Sequence, residues 1–156
     1  KERQDSAAWA KEISRWPQDG RAKLHAMARL LGLRREHPRL FEQGAYVPLD
    51  IRGSRAAHVL AYARHHRGHR LVVIVGRLFA KLLVAPGWPQ SGEAVWGDTR
   101  VDGAGLADED QLVNCLTGES VTLDSGGIRL SQALASFPAA VFFIDQNGKN
   151  RGNRKA

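Results

Sequence analysis

Carboxylates, imidazoles, one thiol and a few large aromatic rings are the groups in this chain that could do chemistry. Asp98, Asp102, Asp108, Glu109 and Asp110 lie in or near one glycine-rich stretch. A carboxylate pair working as acid and base must be held at a set separation on rigid elements. Loop acids on a glycine-rich backbone do not meet that need, so a solvated loop is expected. His58, His65, His66 and His69 invite a metal reading, yet a zinc site needs three or four ligands at tetrahedral spacing. His66 and His69 sit where hairpin side chains diverge, and no cysteine or well-placed acid completes the set. No cofactor is expected either: Gly103-Ala104-Gly105 lacks the rest of a dinucleotide loop, and there is no phosphate loop. Cys115 lies in a predicted strand with no nearby base, which reads as a buried, inert thiol. Trp96 reads as core. Trp88, between two prolines, is the better exposed platform for stacking a sugar ring. Arg29, Arg34 and Arg35 make a basic helix that could meet nucleic acid, but no recognised binding motif accompanies it.

These groups must be positioned by elements that the hydrophobic pattern outlines. The organising stretch is His58 to Gly76: His58–Arg64 and Leu71–Val75 are strand-like runs joined by the polar His65–Arg70, which contains Gly68. Leu71–Val75 is apolar at every position, so it is expected to be the most central strand, covered on both faces. Upstream, Asp5-Ser6 reads as a helix start, with Trp9, Ile13 and Trp16 on one face and Pro17 as the stop. Two tryptophans on so short a helix need a partner to bury them. Asp19-Gly20 opens a second helix with Leu24, Met27, Ala28 and Leu31 as its stripe, Arg34 and Arg35 in the last turn, and His37-Pro38 as its end. One further turn over residues 39–43 closes at Gly44.

From Ala45 the pattern is extended. Tyr46, Val47, Leu49 and Ile51 around Pro48 predict an edge strand. Residues 77–85 read as a strand or short helix and 86–92 as a loop. Glu93–Trp96 alternates and predicts a strand, turning at Gly97-Asp98 into Thr99–Val101. Residues 112–116, 120–123 and 128–130 predict short strands. Ser131 is a candidate cap for a helical turn ended by Pro138, and residues 139–144 form a last strand. Residues 145–156, rich in Asn, Gly, Lys and Arg, predict a disordered basic tail. The expected class is α+β: N-terminal helices, then an antiparallel β-sandwich-like or open-barrel unit.

Composition bounds the function. A chain of 156 residues is enough for one domain, or one small domain with an appendage. It can bury roughly two thirds of its unfolded surface without disulfides or metal. The single cysteine suits a reducing compartment, so a cytoplasmic location is expected. No run approaches the roughly 20 apolar residues that span a bilayer, and no signal peptide is read. The start at Lys1 suggests a piece of something longer. Charge is uneven: residues 1–70 carry 15 Lys/Arg against 7 Asp/Glu, residues 71–144 carry 4 against 8, and residues 145–156 carry 4 against 1. A basic half suits a nucleic-acid surface or docking on another part of a larger protein.

A set of motifs in order then narrows the reading. Asp19-Gly20-Arg21-Ala22-Lys23-Leu24, Leu33-Arg34-Arg35, Leu40-Phe41, Gly44-Ala45-Tyr46-Val47-Pro48-Leu49, His58–Arg64, Arg77-Leu78, Trp96-Gly97-Asp98-Thr99-Arg100, Leu116-Thr117-Gly118-Glu119 and Phe137-Pro138-Ala139-Ala140-Val141 resemble the C-terminal portion of the maltooligosyl trehalose synthases. That group belongs to glycoside hydrolase family 13, the α-amylase family. The resemblance runs over about residues 9 to 144. It departs at Ala22, where a branched aliphatic is expected, and at Gly76, where a proline is usual.

The resemblance implies a (β/α)8 barrel followed by a C-terminal all-β domain. Residues 1–44 would be the helical tail of the barrel, 45–144 the antiparallel β domain and 145–156 the basic tail. The implied activity of the parent is conversion of the reducing-end α-1,4 linkage of a maltooligosaccharide to an α,α-1,1 linkage, an isomerisation in trehalose biosynthesis. The family's catalytic carboxylates sit on barrel loops, so no catalytic residue is carried over and the chain alone is expected to be inactive. Asp19, Arg21 and Lys23, at a helix start near the barrel mouth, are the candidate substrate-binding residues, with Trp88; alternatively Asp19 caps, and Arg21 and Lys23 pair with the surface. The implied partners are the missing N-terminal catalytic barrel and, through it, a maltooligosaccharide, with no membrane and no nucleic acid. A carbohydrate-binding accessory module is the alternative, and a basic nucleic-acid-binding domain a further one.

Overall fold

The computed structural model describes residues 2–82, 92–102, 106, 111–124 and 127–145. Helices lead. α1 spans Glu2–Ser14, α2 Arg21–Glu36 and α3 Pro38–Glu42. Then come β1 (Ala45–Pro48), β2 (Ile51–Arg52), β3 (Val59–His66) and β4 (His69–Gly76). The remainder is α4 (Glu93–Trp96), β5 (Arg100–Asp102), β6 (Gln111–Val113), β7 (Ser120–Thr122), β8 (Gly127–Arg129), α5 (Leu130–Ala133) and β9 (Ala139–Asp145). The class is α+β with antiparallel sheets, as the pattern predicts.

The strands form a four-stranded sheet in the order β1-β3-β4-β9, a three-stranded sheet β2-β5-β8 and a pair β6-β7. The predicted hairpin is its centre: β3 and β4 pair from Val59↔Gly76 to His66↔His69. Its loop is shorter than predicted. Only Arg67 and Gly68 turn, both at positive φ (46° and 84°), the backbone of a tight turn whose twist matches paired strands. As expected, β4 is interior and covered on both faces. Val72 and Ile74 point into one core with Val59, Ala61, Ala63, Ala140 and Phe142. Leu71 points into the other with Val141, Ala10, Ile13 and Leu40. The molecule is therefore layered: helices, the four-stranded sheet, then the smaller sheets with α4 and α5. β1 is an edge strand, consistent with Pro48.

Several local expectations are corrected. α1 begins at Glu2, not at Asp5-Ser6. Residues 93–96 form a helical turn, not a strand: Val95 and Trp96 are consecutive and both buried, whereas a strand would send them to opposite faces. Gly92 and Gly97, at positive φ, bracket that turn. No hairpin joins it to residues 99–101; β5 pairs with β2 and β8 instead. Residues 79–81 are a single 3-10 turn. Ser131 lies inside α5, which Arg129 precedes as the flanking residue. The last strand runs on to Asp145, and the rest of the predicted tail, 146–156, lies outside the described residues, as do 83–91.

The helix stripes are the larger correction. On α1 the sheet takes Ala10 and Ile13; Trp9, and Trp16 just past the helix, stay 45% and 54% exposed. On α2 the packed face is Ala22, Ala26, Leu30 and Leu33, while Leu24, Met27 and Leu31 are exposed. Each helix meets the core with a mixed face of alanine and larger aliphatic side chains and leaves other large apolar residues open. Among the described residues no helix is long and apolar enough to cross a membrane.

Candidate functional site

The start of α2 carries the predicted trio. Asp19 Oδ1 accepts from the Arg21 backbone N–H at 2.9 Å, and its Oδ2 accepts from Arg21 Nε at 2.7 Å. These bonds, the backbone one first, hold the Asp19 carboxyl below its usual range. Arg21 also lies 3.9 Å from Glu12 on α1. Asp19 and Arg21 thus bind each other and pin the first turn to α1; Lys23 is exposed beside them. Trp88, Asp108, Glu109 and Asp110 lie outside the described residues.

The other candidates are drawn into turns and pairs. Asp98 Oδ1 accepts from Ser54 N–H at 3.0 Å and Ser54 Oγ–H at 2.9 Å, which lowers its carboxyl. Asp102 pairs with Arg52 at 2.9 Å. His37 at the α2–α3 corner stacks on Phe143 with centroids 4.0 Å apart, and His69 meets the same ring at 5.6 Å. Among the described residues no three His, Cys, Asp or Glu side chains converge as metal ligands.

A cleft of about 660 Å3 opens between α2 and the β6–β7 turn, lined by Arg29, Gly32, Glu36, Asn114, Cys115 and Phe143. Two side chains one turn apart on α2 lock its wall. His25 Nε2 lies 2.7 Å from Leu116 O, to which it donates, and Arg29 Nε donates to Cys115 O at 2.9 Å. The floor is set by the turn Leu116-Thr117-Gly118-Glu119. Gly118 supplies positive φ (76°), Thr117 Oγ1 accepts from Glu119 N–H, and Ser136 Oγ–H donates to Glu119. Asn114 is buried, with Oδ1 accepting from Leu116 N–H at 3.0 Å and Val141 N–H at 3.1 Å. Partial burial pushes the Cys115 thiol up, which favours its protonated form. Sequence reasoning missed this cleft because the residues that join its walls lie 86 and 91 positions apart; the one local signal was a glycine inside α2.

No protein-family model and no curated protein matches the chain. Among solved structures, the fold aligns with a point mutant of maltooligosyltrehalose synthase from Arthrobacter ramosus, at 32% identity and a TM-score of 0.53. The alignment covers 75% of this chain and 13% of that one, so the chain spans about an eighth of the synthase's length. It also aligns with the maltogenic α-amylase AmyB from Thermotoga neapolitana (8% identity, TM-score 0.44, 71% of this chain and 23% of that one). A third match is an Anoxybacillus α-amylase (13% identity, TM-score 0.48, 78% of this chain and 22% of that one). The structural neighbours are thus a maltooligosyltrehalose synthase and α-amylases, and the chain is a small antiparallel α+β unit similar to part of the former.

Proposed function

We propose that the chain is the C-terminal portion of a maltooligosyl trehalose synthase of the α-amylase family, and that it packs on and stabilises the catalytic barrel without turnover of its own. The observation that carries this reading is the 32% identity, over three quarters of the chain, to a synthase of which the aligned part is 13%. The open faces of α1 and α2 support it. Trp9, Leu24, Met27 and Leu31, with Trp16 between the two helices, present large apolar surface to solvent, which marks an interaction face when it is this concentrated. The parent would convert the reducing-end α-1,4 linkage of a maltooligosaccharide to α,α-1,1 in the cytoplasm, with its carboxylates on barrel loops outside this chain. Lys23 and Trp88 are the groups of this chain that would approach substrate, while Asp19 and Arg21 hold the start of α2.

A chimera tests this. This chain replaces the matching part of the Arthrobacter ramosus synthase, and maltopentaose is the substrate. The expected result is a folded chimera that forms the α,α-1,1 product, with none formed by the chain alone. Turnover by the chain alone, or a chimera that folds and makes no product, overturns the reading.

A further inference from the structure

The outward side of α2 joins an apolar strip to cations that nothing in the fold answers. Leu24, Ala28, Leu31 and Arg35 follow one another at i, i+4, i+7 and i+11, which makes them one row of the helix surface. Met27 and Arg34 lie in the neighbouring row. All six are exposed, because Ala22, Ala26, Leu30 and Leu33 turn the opposite side to the core. The face is therefore apolar along its middle and doubly cationic at its C-terminal end. Arginines elsewhere are engaged: Arg52 on Asp102, Arg64 on Phe41 O, Arg77 on Ala57 O and Arg129 on Asp124. Arg34 and Arg35 have no side-chain hydrogen bond or ion pair among the described residues. Asp19 and Glu12 are taken by Arg21, and Glu36 lines the cleft on another flank of α2. The helix dipole favours cations in a last turn, yet it leaves two guanidinium forks without an acceptor.

We propose that this face of α2 docks on the preceding part of its own polypeptide, against an apolar strip with carboxylates set opposite Arg34 and Arg35. The identity of the partner rests on the function proposed above; the chemistry of its surface rests on these charges. A purely apolar partner would strip water from two cations and return nothing. A second copy of this chain fits worse. In an antiparallel pairing Lys23 of one copy meets Arg34 and Arg35 of the other, and in a parallel pairing the arginines meet each other, so both arrangements set like charges together. Phosphate alone would answer the arginines and leave Leu24, Met27 and Leu31 in water. A carboxylate-flanked strip answers both, and the planar guanidinium fork grips carboxylates in a fixed geometry, which sets the register of the joint. Such a surface is also at hand: the aligned part is 13% of the synthase, and covalent linkage holds the remainder at high local concentration.

The test is carbodiimide cross-linking of the chimera, which joins an amine to a carboxylate in direct contact, read by mass spectrometry. Arg34→Lys and Arg35→Lys supply the amines. Links from positions 34 and 35 to Asp or Glu upstream of this chain are expected. The double variant Arg34→Glu, Arg35→Glu is expected to lower the chimera's melting temperature by about 5 °C or more, an effect that shrinks in about 0.5 M sodium chloride. In the isolated chain the same pair is expected to cost no more than about 2 °C, the share of the helix dipole. Links confined to this chain's own carboxylates, cross-linked dimers, an equal melting shift in chimera and isolated chain, or a chimera that does not fold overturns the joint. So does binding of the isolated chain to phosphatidylserine vesicles that Arg34→Glu abolishes, if upstream links are missing. Should the double variant not fold, the links and the melting of Arg34→Gln, Arg35→Gln decide. The links are read whether or not the chimera turns over substrate: links without product sink the proposed function alone, and product without links sinks this joint alone.

Discussion

Asp98 shows how a residue that looks reactive in sequence serves the backbone. Its carboxylate gathers both donors of Ser54 across 44 positions, and these bonds hold its folded pKa below the ordinary value. A group with a depressed folded pKa contributes stability above its unfolded pKa, and that contribution is lost as pH falls through the folded value. Thermal melts from pH 7 downward are therefore expected to show a smaller acid-side loss in Asp98→Asn than in the wild type, with lower stability for the variant at pH 7. An equal acid-side loss in both would refute this. Cys115 reads as a buried strand thiol in the sequence; in the fold it is half-buried in the turn after β6 and lines the cleft, and its raised pKa predicts slow reaction with a disulfide reagent at pH 8, accelerating on unfolding. A fast reaction in the native state would contradict the burial argument.

At the scale of elements, Gly76 ends β4 where only a residue without a side chain fits. Its N–H donates to Pro138 O at 3.0 Å, and a Cβ there would lie 2.4 Å from Phe79 Cζ. Gly76→Pro removes the donor and drives into that ring, so a loss of about 2–4 kcal/mol is expected in denaturant melts; a stabilised variant would overturn the account. The two faces of α1 make a sharper comparison. Ile13→Ala empties a fully buried site and is expected to cost about 2–5 kcal/mol. Trp9→Ala, on the open face, is expected to change the isolated chain by less than about 0.5 kcal/mol. Equal costs would mean that the open face is already covered in the isolated chain.

Across the whole molecule, the four-stranded sheet is shared by two cores. Leu71 and Val141 carry the helix side, and Val72, Ile74 and Phe142 carry the side facing the small sheets. Removing residues 2–42 would bare Leu71, Val141 and Leu116, all nearly fully buried. The truncated chain is expected to bind a hydrophobic dye and lose its sharp melting transition, whereas the full chain melts cooperatively. A truncated chain that stays monomeric with an unchanged transition would show that the helices contribute nothing to the sheet.

What the amino-acid order determined by itself is whatever depends on neighbours in the chain. The hairpin from Val59 to Gly76 follows from a mostly apolar run and a β-branched run around a polar segment containing Gly68, and the edge position of β1 follows from Pro48. The end of α2 follows from His37-Pro38. Tertiary structure decided what depends on distant partners. The packed faces of the helices were partly misread: Ile13 is buried as the stripe predicts, but Ala10, Ala22, Ala26, Leu30 and Leu33 meet the core while Trp9, Leu24, Met27 and Leu31 do not, because the partner that selects a face is distant in sequence. Residues 93–96 became a turn because Trp96 and Val95 both had a core to enter. The cleft arose because Arg29 and His25 reach carbonyls 86 and 91 positions away, a juxtaposition that no local pattern encodes.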